Sequence, residues 1–183
     1  MSARGVRLVV LCEDDEHRRF ASYAFRGLGR HYRTLRTITC PAGRGSAESW
    51  VRKRYAEEVA AHRRKVSSQH GLALVVVIDA DKQTVDERHE QLAAALEHSG
   101  SERRGAAERI VIWVPKRHIE TWVAYLSGRD ANEEDDYKRA VADADYRPPA
   151  ARFVDRYRSA QGRPPGLLPS IVTAYTELDR VEK

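Results

Sequence analysis

The sequence predicts an α/β fold: a Rossmann-like, parallel four-stranded sheet with helices on both faces and a C-terminal helical extension. Three observations lead to this prediction. Three of four short strand-like segments are continuous Val-, Ile- and Leu-rich runs, as expected for parallel strands buried on both faces. Segments with helical periodicity separate the strands in a βαβαβαβα order. The length of 183 residues fits one such domain.

Each element of this alternation has its own local signal. The strand segments carry apolar or β-branched runs, and the helical segments carry apolar residues at spacings of three and four. The predicted strands are 6–12 (VRLVVLC), 32–40 (YRTLRTITC), 72–78 (LALVVVI) and 109–114 (RIVIWV). The first helix follows a cap at Asp14 or Asp15, and the later helices are expected over about 47–65, 84–97, 118–126, 150–160 and 169–181. Residues 127–149 are polar and acidic, and a loop with a short helix is expected there.

The spacing of apolar residues predicts which face of each helix is buried. The expected inward residues are Phe20, Tyr23, Ala24, Gly27 and Leu28 in the first helix, Val51, Tyr55 and Val59 in the second, Val85, Leu92 and Leu96 in the third, and Ile119, Trp122, Val123 and Leu126 in the fourth. We therefore expect one α/β domain over residues 1–126, with residues 127–183 as a helical extension packed on the same domain.

Acidic residues follow two of the predicted strands. Glu13 ends the first strand, and Asp79 and Asp81 follow the third. A strand order that begins 2-1-3 places these two strands side by side, and ligands in such sheets bind at the carboxyl ends of the strands. Side chains two apart in a strand point the same way, so Asp79 and Asp81 are expected to aim together if the strand geometry persists that far. For any one of these acids, a helix cap facing water is the simpler interpretation.

Clustered carboxylates repel one another and favour a counter-cation. Mg²⁺ (or Mn²⁺) takes one or two carboxylates and completes its shell with water and phosphate oxygens, so the expected cofactor is Mg²⁺ (or Mn²⁺). Glu13, if not fully used in coordination, can act as a general acid or base. The expected metal ligands are thus Glu13, Asp79 and Asp81.

The charge is distributed unevenly along the chain. Residues 1–70 carry a net charge of +8, from 15 basic and 7 acidic residues, whereas the remainder carries −3. A basic region of this kind favours a polyanionic partner, so nucleic acid is the expected partner. Arg44, in the Gly-rich loop 41–46, and Lys116 and Arg117, after the fourth strand, are the candidate contacts to a scissile or flanking phosphate. Lys116 is also a candidate catalytic residue beside Glu13. A flexible loop, a solvated turn and Arg-rich codon usage are the competing explanations.

Several classes of protein are disfavoured. Cys12 and Cys40 form no CxxC pair, which argues against a disulfide scaffold or a structural zinc site and favours a reduced, cytoplasmic compartment. No apolar run approaches the roughly 20 residues of a transmembrane helix, so no membrane association is expected. The seven His residues show no HxxxH or HExxH spacing. No GxSxG motif is present.

Three segments resemble the Toprim domain: LVVLCEDDEHRRF, VVVIDADKQ and VPKRHIETWV. Toprim is the Mg²⁺-binding catalytic fold of topoisomerases, bacterial primases and OLD-type nucleases. The resemblance covers residues 6–126 and implies Glu13, with Asp79 and Asp81, as the metal-binding acids. The last segment is similar to small stand-alone prokaryotic Toprim-like proteins with a Pro followed by Glu-x-Trp. Glu120 would then be a further metal acid or a first-turn helix acid, whereas Trp122 is expected in the core.

The resemblance implies a Mg²⁺-dependent nuclease or phosphodiester-handling enzyme, a hydrolase in DNA repair or phage defence, with a possible co-encoded ATPase partner. One departure supports a different function. Many Toprim domains carry a further acid after the Asp-x-Asp, where this chain has Lys82 and Gln83. Asp86 or Glu87 could replace that acid, or Lys82 could hold a phosphate. The alternative is a catalytically degenerate module that binds nucleic acid or a partner ATPase.

A receiver-like phosphoacceptor is a third hypothesis. The acids 13–15 (Glu-Asp-Asp) imitate the acid pair of a receiver, Asp79 its acceptor Asp, and Lys116 its strand-end Lys. A receiver needs two strands between the acceptor and the Lys, however, and only 109–114 lies there. This hypothesis is therefore the weakest of the three.

Overall fold

The computed structural model describes residues 7–29, 32, 34–69, 71–159 and 166–182. Its four strands are β1 (Leu8–Cys12), β2 (Leu35–Thr39), β3 (Ala73–Val77) and β4 (Ile110–Trp113). All neighbouring strands pair in parallel, in the order β2-β1-β3-β4. The predicted fold class and strand order are confirmed. Positions 6, 33 and 160 of the predicted elements lie outside the described residues.

Six α-helices surround the sheet, and most begin and end within two residues of the prediction. They are α1 (Asp15–Leu28), α2 (Ala47–Lys65), α3 (Val85–His98), α4 (Ile119–Leu126), α5 (Arg147–Ser159) and α6 (Pro169–Glu182), with a 3₁₀ turn at Arg139–Val141. Asp14, Ser46 and Thr84 cap α1, α2 and α3. The α5 helix begins three residues earlier than predicted, because prolines 148 and 149 fit a first helical turn, where a missing N–H costs nothing. None of the described helices has the length and apolar character needed to cross a membrane.

Two hydrophobic cores lie on opposite faces of the sheet. Alternate residues along β1 and β3 point to opposite faces: Val10 and Val75 belong to one core, and Leu11 and Val76 to the other. The first core lies under α1, α4, α5 and α6 and includes edge-to-face aromatic contacts between Phe20 and both Trp113 and Trp122. The second lies under α2 and α3. The predicted inward residues of α2 and α4 are all buried.

The buried face of α1 differs from the prediction. Gly27 is exposed, while Ala21 and Phe25, which the spacing did not select, are fully buried. The cause is that α1 packs against both the sheet and α5. A Cβ at Gly27 would make an ordinary van der Waals contact, 3.5 Å from a methyl group of Val154 in α5.

The edge strand β4 is covered by α6. Glu177 of α6 accepts a hydrogen bond from the backbone N–H of Ile112 at 2.8 Å and forms a salt bridge with Arg104. Arg104 also donates to the carbonyl of Ile110 at 2.7 Å. Side chains from the extension and from the loop before β4 thus pair backbone groups that an edge strand would otherwise leave open.

Candidate metal centre at the carboxyl edge of the sheet

The carboxyl ends of β1 and β3 bring Glu13 and Asp79 together. Cys12 is paired with Val77 in the sheet register, so the chain leaves both strands at the same level. The Glu13 carboxylate accepts a hydrogen bond from the backbone N–H of Asp79 at 2.7 Å. This contact, between residues 66 positions apart, depends on the β1–β3 adjacency that the sequence predicted.

Asp79 is the centre of the cluster, and only 5% of its surface is exposed. One carboxylate oxygen is 2.9 Å from Nε2 of His17, and the other is 3.4 Å from Nδ1 of His118. Burial disfavours the charged carboxylate, but the charges and contacts of the two histidines outweigh it and lower the pKa of Asp79. Asp79 is therefore ionised at neutral pH.

His17 lies between two carboxylates and was not among the predicted site residues. Its Nδ1 is 2.5 Å from an Asp14 oxygen, opposite the Nε2 contact with Asp79. Burial opposes the charged imidazolium, yet the two carboxylates raise the pKa of His17 well above its usual value. The same contacts hold the pKa of Asp14 at about 2, against its own burial. His17 thus supplies a buried positive charge within the acidic cluster.

Glu13 has the opposite perturbation to Asp79. Burial, followed by the negative charges of Asp79 and Asp81, raises the pKa of Glu13 to about 7, although His17 and the Asp79 N–H act against the shift. A carboxyl group that titrates near neutral pH can both donate and accept a proton under cellular conditions. This is the property expected of a general acid or base.

Asp81 reaches the cluster through a turn, not along a strand. The strand ends at Val77, and Asp81 has a left-handed backbone with φ of 54°. Its backbone N–H donates to the carbonyl of Arg117 at 3.1 Å, which fixes the turn. The expectation of continued strand alternation is wrong, yet the Asp81 carboxylate still lies 3.5 Å from Nδ1 of His118. Its side chain is 47% exposed.

A buried arginine supports the turn that carries the two aspartates. Arg88, in the first turn of α3, donates to the Asp79 carbonyl at 2.9 Å and lies 3.7 Å from the Asp81 carboxylate. It also pairs with Glu48 in the first turn of α2. Arg88 lies within a helix and belongs to no sequence motif, so the sequence did not indicate this role.

Glu120 lies in the first turn of α4, close enough to the cluster to interact with the charges of Asp79 and His17. Burial first, and then the charge of Asp79, raise the pKa of Glu120, while Lys138 acts in the opposite direction. Lys138 also helps to lower the pKa of Asp14. The extension therefore places a cation near the site, which the sequence did not predict.

The predicted basic contacts have different environments. The Lys116 ammonium donates to the Gln83 carbonyl at 2.5 Å, so in this structure it binds the turn after Asp81. Arg117 contributes its backbone carbonyl, and its own backbone is left-handed, with φ of 66°. Arg44 and Lys82 are exposed. The candidate replacement acids do not join the cluster: Glu87 forms the capping box of α3 with Thr84, and Asp86 lines a separate cleft with Tyr55 and His89.

Two groups of side chains of the types that ligate metals share Asp79. In the part of the chain that the structure describes, Glu13, His17 and Asp79 form one group, and Asp79, Asp81 and His118 form the other. Within each group the ligand atoms lie within 4.8 Å of one another. Glu120 belongs to neither group. The three predicted acids therefore meet around Asp79, with a histidine beside it in each group.

Neither a family model, nor a curated protein, nor a solved structure matches this chain. The Toprim resemblance therefore stays a prediction from short motifs.

Proposed function

We propose that this protein is a Toprim-like, Mg²⁺-dependent nuclease, or an enzyme with closely related phosphodiester chemistry. The observation that supports the proposal most is the arrangement of Glu13, Asp79 and Asp81 at one edge of a parallel sheet. This edge is where open α/β sheets bind ligands. Without a bound cation, buried acids that repel one another lower the stability of the fold.

The residues divide naturally into two roles. Asp79, ionised, and Asp81, half exposed, would hold the cation, which when bound would stabilise negative charge on a phosphate. Glu13 would accept a proton from the attacking water while the water oxygen forms the new bond to phosphorus. Alternatively, it would donate a proton to the leaving oxygen as the old P–O bond breaks. Its pKa of about 7 suits either direction of transfer.

The basic surface supports nucleic acid as the substrate. Residues 1–70 carry the +8 charge, and Arg44 and Lys82 are exposed on loops that follow β2 and β3, at the carboxyl edge. Exposed cations of this kind bind phosphates of DNA or RNA without reading sequence. A role in DNA repair or phage defence, and a co-encoded ATPase partner, are part of the proposal through the family resemblance alone.

One observation favours the second candidate function, a degenerate module that binds nucleic acid or an ATPase. The imidazolium of His17 already lies 2.9 Å from Asp79 and partly neutralises the cluster. Lys82 occupies the position where many Toprim domains carry an acid. With the acids partly neutralised by His17, the exposed Lys82 would bind a phosphate with no metal and no turnover.

A cleavage assay separates the two functions. The protein is incubated with supercoiled DNA, single-stranded DNA and RNA in Mg²⁺ or Mn²⁺, and with any co-encoded ATPase. We expect cleavage that Glu13→Gln removes while metal binding persists, and that Asp79→Asn or Asp81→Asn removes together with metal binding. Asp86→Asn, which changes an acid outside the cluster, is the matched control. Nucleic-acid binding without cleavage by the unaltered protein would establish the degenerate module instead.

A further inference from the structure

His118 has a side-chain geometry that its position in the fold does not explain. It is the residue before α4, with an extended backbone, yet its side chain makes no capping hydrogen bond. Its Nδ1 atom is buried and makes no well-formed hydrogen bond with any described residue, although it lies at ion-pair distance from two carboxylates. Buried polar atoms are normally paired, so one left open beside two carboxylates points to a missing ligand.

The distances around His118 suit a shared cation better than a hydrogen bond. Nδ1 lies 3.4 Å from an Asp79 oxygen and 3.5 Å from an Asp81 oxygen, which is longer than a normal hydrogen bond. Ligand atoms about 2.1 Å from one metal ion stand roughly 3.0–3.4 Å apart in octahedral or tetrahedral arrangements. The distances from His118 Nδ1 to the two carboxylates are therefore nearly those between neighbouring ligands of one ion, and all three ligand atoms lie within 4.8 Å of one another.

Backbone contacts hold the two segments that carry these ligands. The N–H of Ala80 donates to the Pro115 carbonyl at 2.9 Å, and that of Asp81 donates to the Arg117 carbonyl at 3.1 Å. The 79–81 turn and the segment before His118 are thus fixed to each other. Because the Asp81 side chain is 47% exposed, the remaining coordination positions would be open to water or a phosphate.

We infer that His118 is a metal ligand which, with Asp79 and Asp81, makes this edge bind a first-row transition-metal dication, for which Mn²⁺ serves as the probe, more tightly than Mg²⁺. The inference rests on the metal centre of the proposed function and names the class of its ion. Mg²⁺ prefers oxygen ligands only, whereas imidazole nitrogen is a good ligand for transition metals. A single neutral imidazole nitrogen among the ligands therefore shifts the preference from Mg²⁺ towards a transition metal without changing the total charge of the ligands.

The test is a titration of the purified full-length protein with Mn²⁺ alone and Mg²⁺ alone, by calorimetry. All titrations use one pH, since protons compete with metal for imidazole. We expect roughly tenfold or tighter binding of Mn²⁺ than Mg²⁺. His118→Ala should remove that preference while leaving Mg²⁺ affinity nearly unchanged. His98→Ala, which alters an exposed histidine at the end of α3, is the matched control and should behave as the unaltered protein.

A spectroscopic measurement on the same samples makes the result independent of any effect on stability. Pulsed electron paramagnetic resonance of bound Mn²⁺ should show coupling to a histidine nitrogen, and this coupling should disappear in His118→Ala and in the more conservative His118→Asn. Equal affinity for the two metals, or a nitrogen coupling that survives both substitutions, would overturn the inference and leave the Mg²⁺ enzyme standing. Binding of neither metal would overturn the metal centre and this inference together.

Discussion

Two buried carboxylates beside the same sheet show two different uses of buried charge. Glu177, against β4, is paired with Arg104 and accepts the Ile112 N–H. These contacts outweigh its burial and lower the pKa of Glu177. Asp79, at the end of β3, instead has other acids as neighbours, and His17 and His118 compensate its charge. Glu177 pairs backbone groups at a sheet edge, whereas Asp79 belongs to a cluster that has more acidic groups than neighbouring cations can neutralise.

The surplus acid is Glu13, and the comparison predicts how each region responds to change. A carboxylate with dedicated partners is costly to remove, because its partners are then left buried and unpaired. A carboxyl group whose pKa is raised by burial destabilises the native state when it is charged. Removing that charge should therefore increase the free energy of unfolding. Loss of Glu177 should therefore destabilise the protein, whereas loss of the Glu13 charge should stabilise it.

The largest expected effect follows from Glu177→Ala. The substitution leaves the Arg104 guanidinium and the Ile112 N–H without their partner, and we expect the free energy of unfolding to fall by about 3–5 kcal/mol. Urea denaturation followed by circular dichroism measures it. Glu57→Ala, which breaks an exposed ion pair with Arg54, should cost less than about 1 kcal/mol. Equal costs for the two substitutions would mean that the β4 edge does not depend on Glu177.

The opposite sign is expected for Glu13→Gln in metal-free protein. With the pKa of Glu13 raised from 4.5 to about 7, the native state binds a proton more tightly than the unfolded state. The unaltered protein should therefore lose stability as pH rises from about 4.5 through 7, by roughly 2–3 kcal/mol. Glu13→Gln lacks this loss. Denaturant titrations in a chelator should show the variant more stable at pH 8 and equal at pH 4. A variant less stable at pH 8 would contradict the burial of a surplus acid.

A smaller effect is expected at exposed basic residues, and it depends on whether acidic neighbours already neutralise them. We expect Arg44→Ala and Lys82→Ala each to weaken nucleic-acid binding and to reduce the slope of log affinity against log salt by about 0.7–0.9, the contribution of one phosphate contact. Arg103 is also exposed but lies between Glu90 and Glu97, so Arg103→Ala should change the slope little. Fluorescence anisotropy with labelled DNA over a range of salt measures the slopes. Unchanged slopes for both loop variants would place the nucleic acid elsewhere.

The two regions also differ in how far the sequence predicted them. Glu13 and Asp79 directly follow strong strand signals, and strand adjacency follows from the βαβ pattern, so their meeting was predictable. Glu177 and Arg104 are 73 positions apart and carry no local motif. Their pairing depends on where α6 crosses the β4 edge, which helical periodicity does not determine.

Within the cluster, the histidines mark the limit of sequence reasoning. His17 lies one turn after the Asp14 cap and looks like an ordinary helical residue, until the sheet places Asp79 beside it. His118 directly follows Lys116 and Arg117 and belongs to no metal-binding motif in the sequence. The left-handed turn at Asp81, which aims the carboxylate at His118, interrupts the strand geometry that a period of two assumes.

The most direct test of the metal centre is a crystal structure after a Mn²⁺ soak, with anomalous diffraction data at the manganese edge. The proposed centre predicts an anomalous peak within about 2–2.5 Å of an Asp79 oxygen, at the carboxyl edge of β1 and β3. The peak should be absent from crystals of Asp79→Asn soaked in the same way. No peak beside Asp79 in the unaltered protein, or an equal peak in the variant, would contradict a metal-dependent function for this cluster.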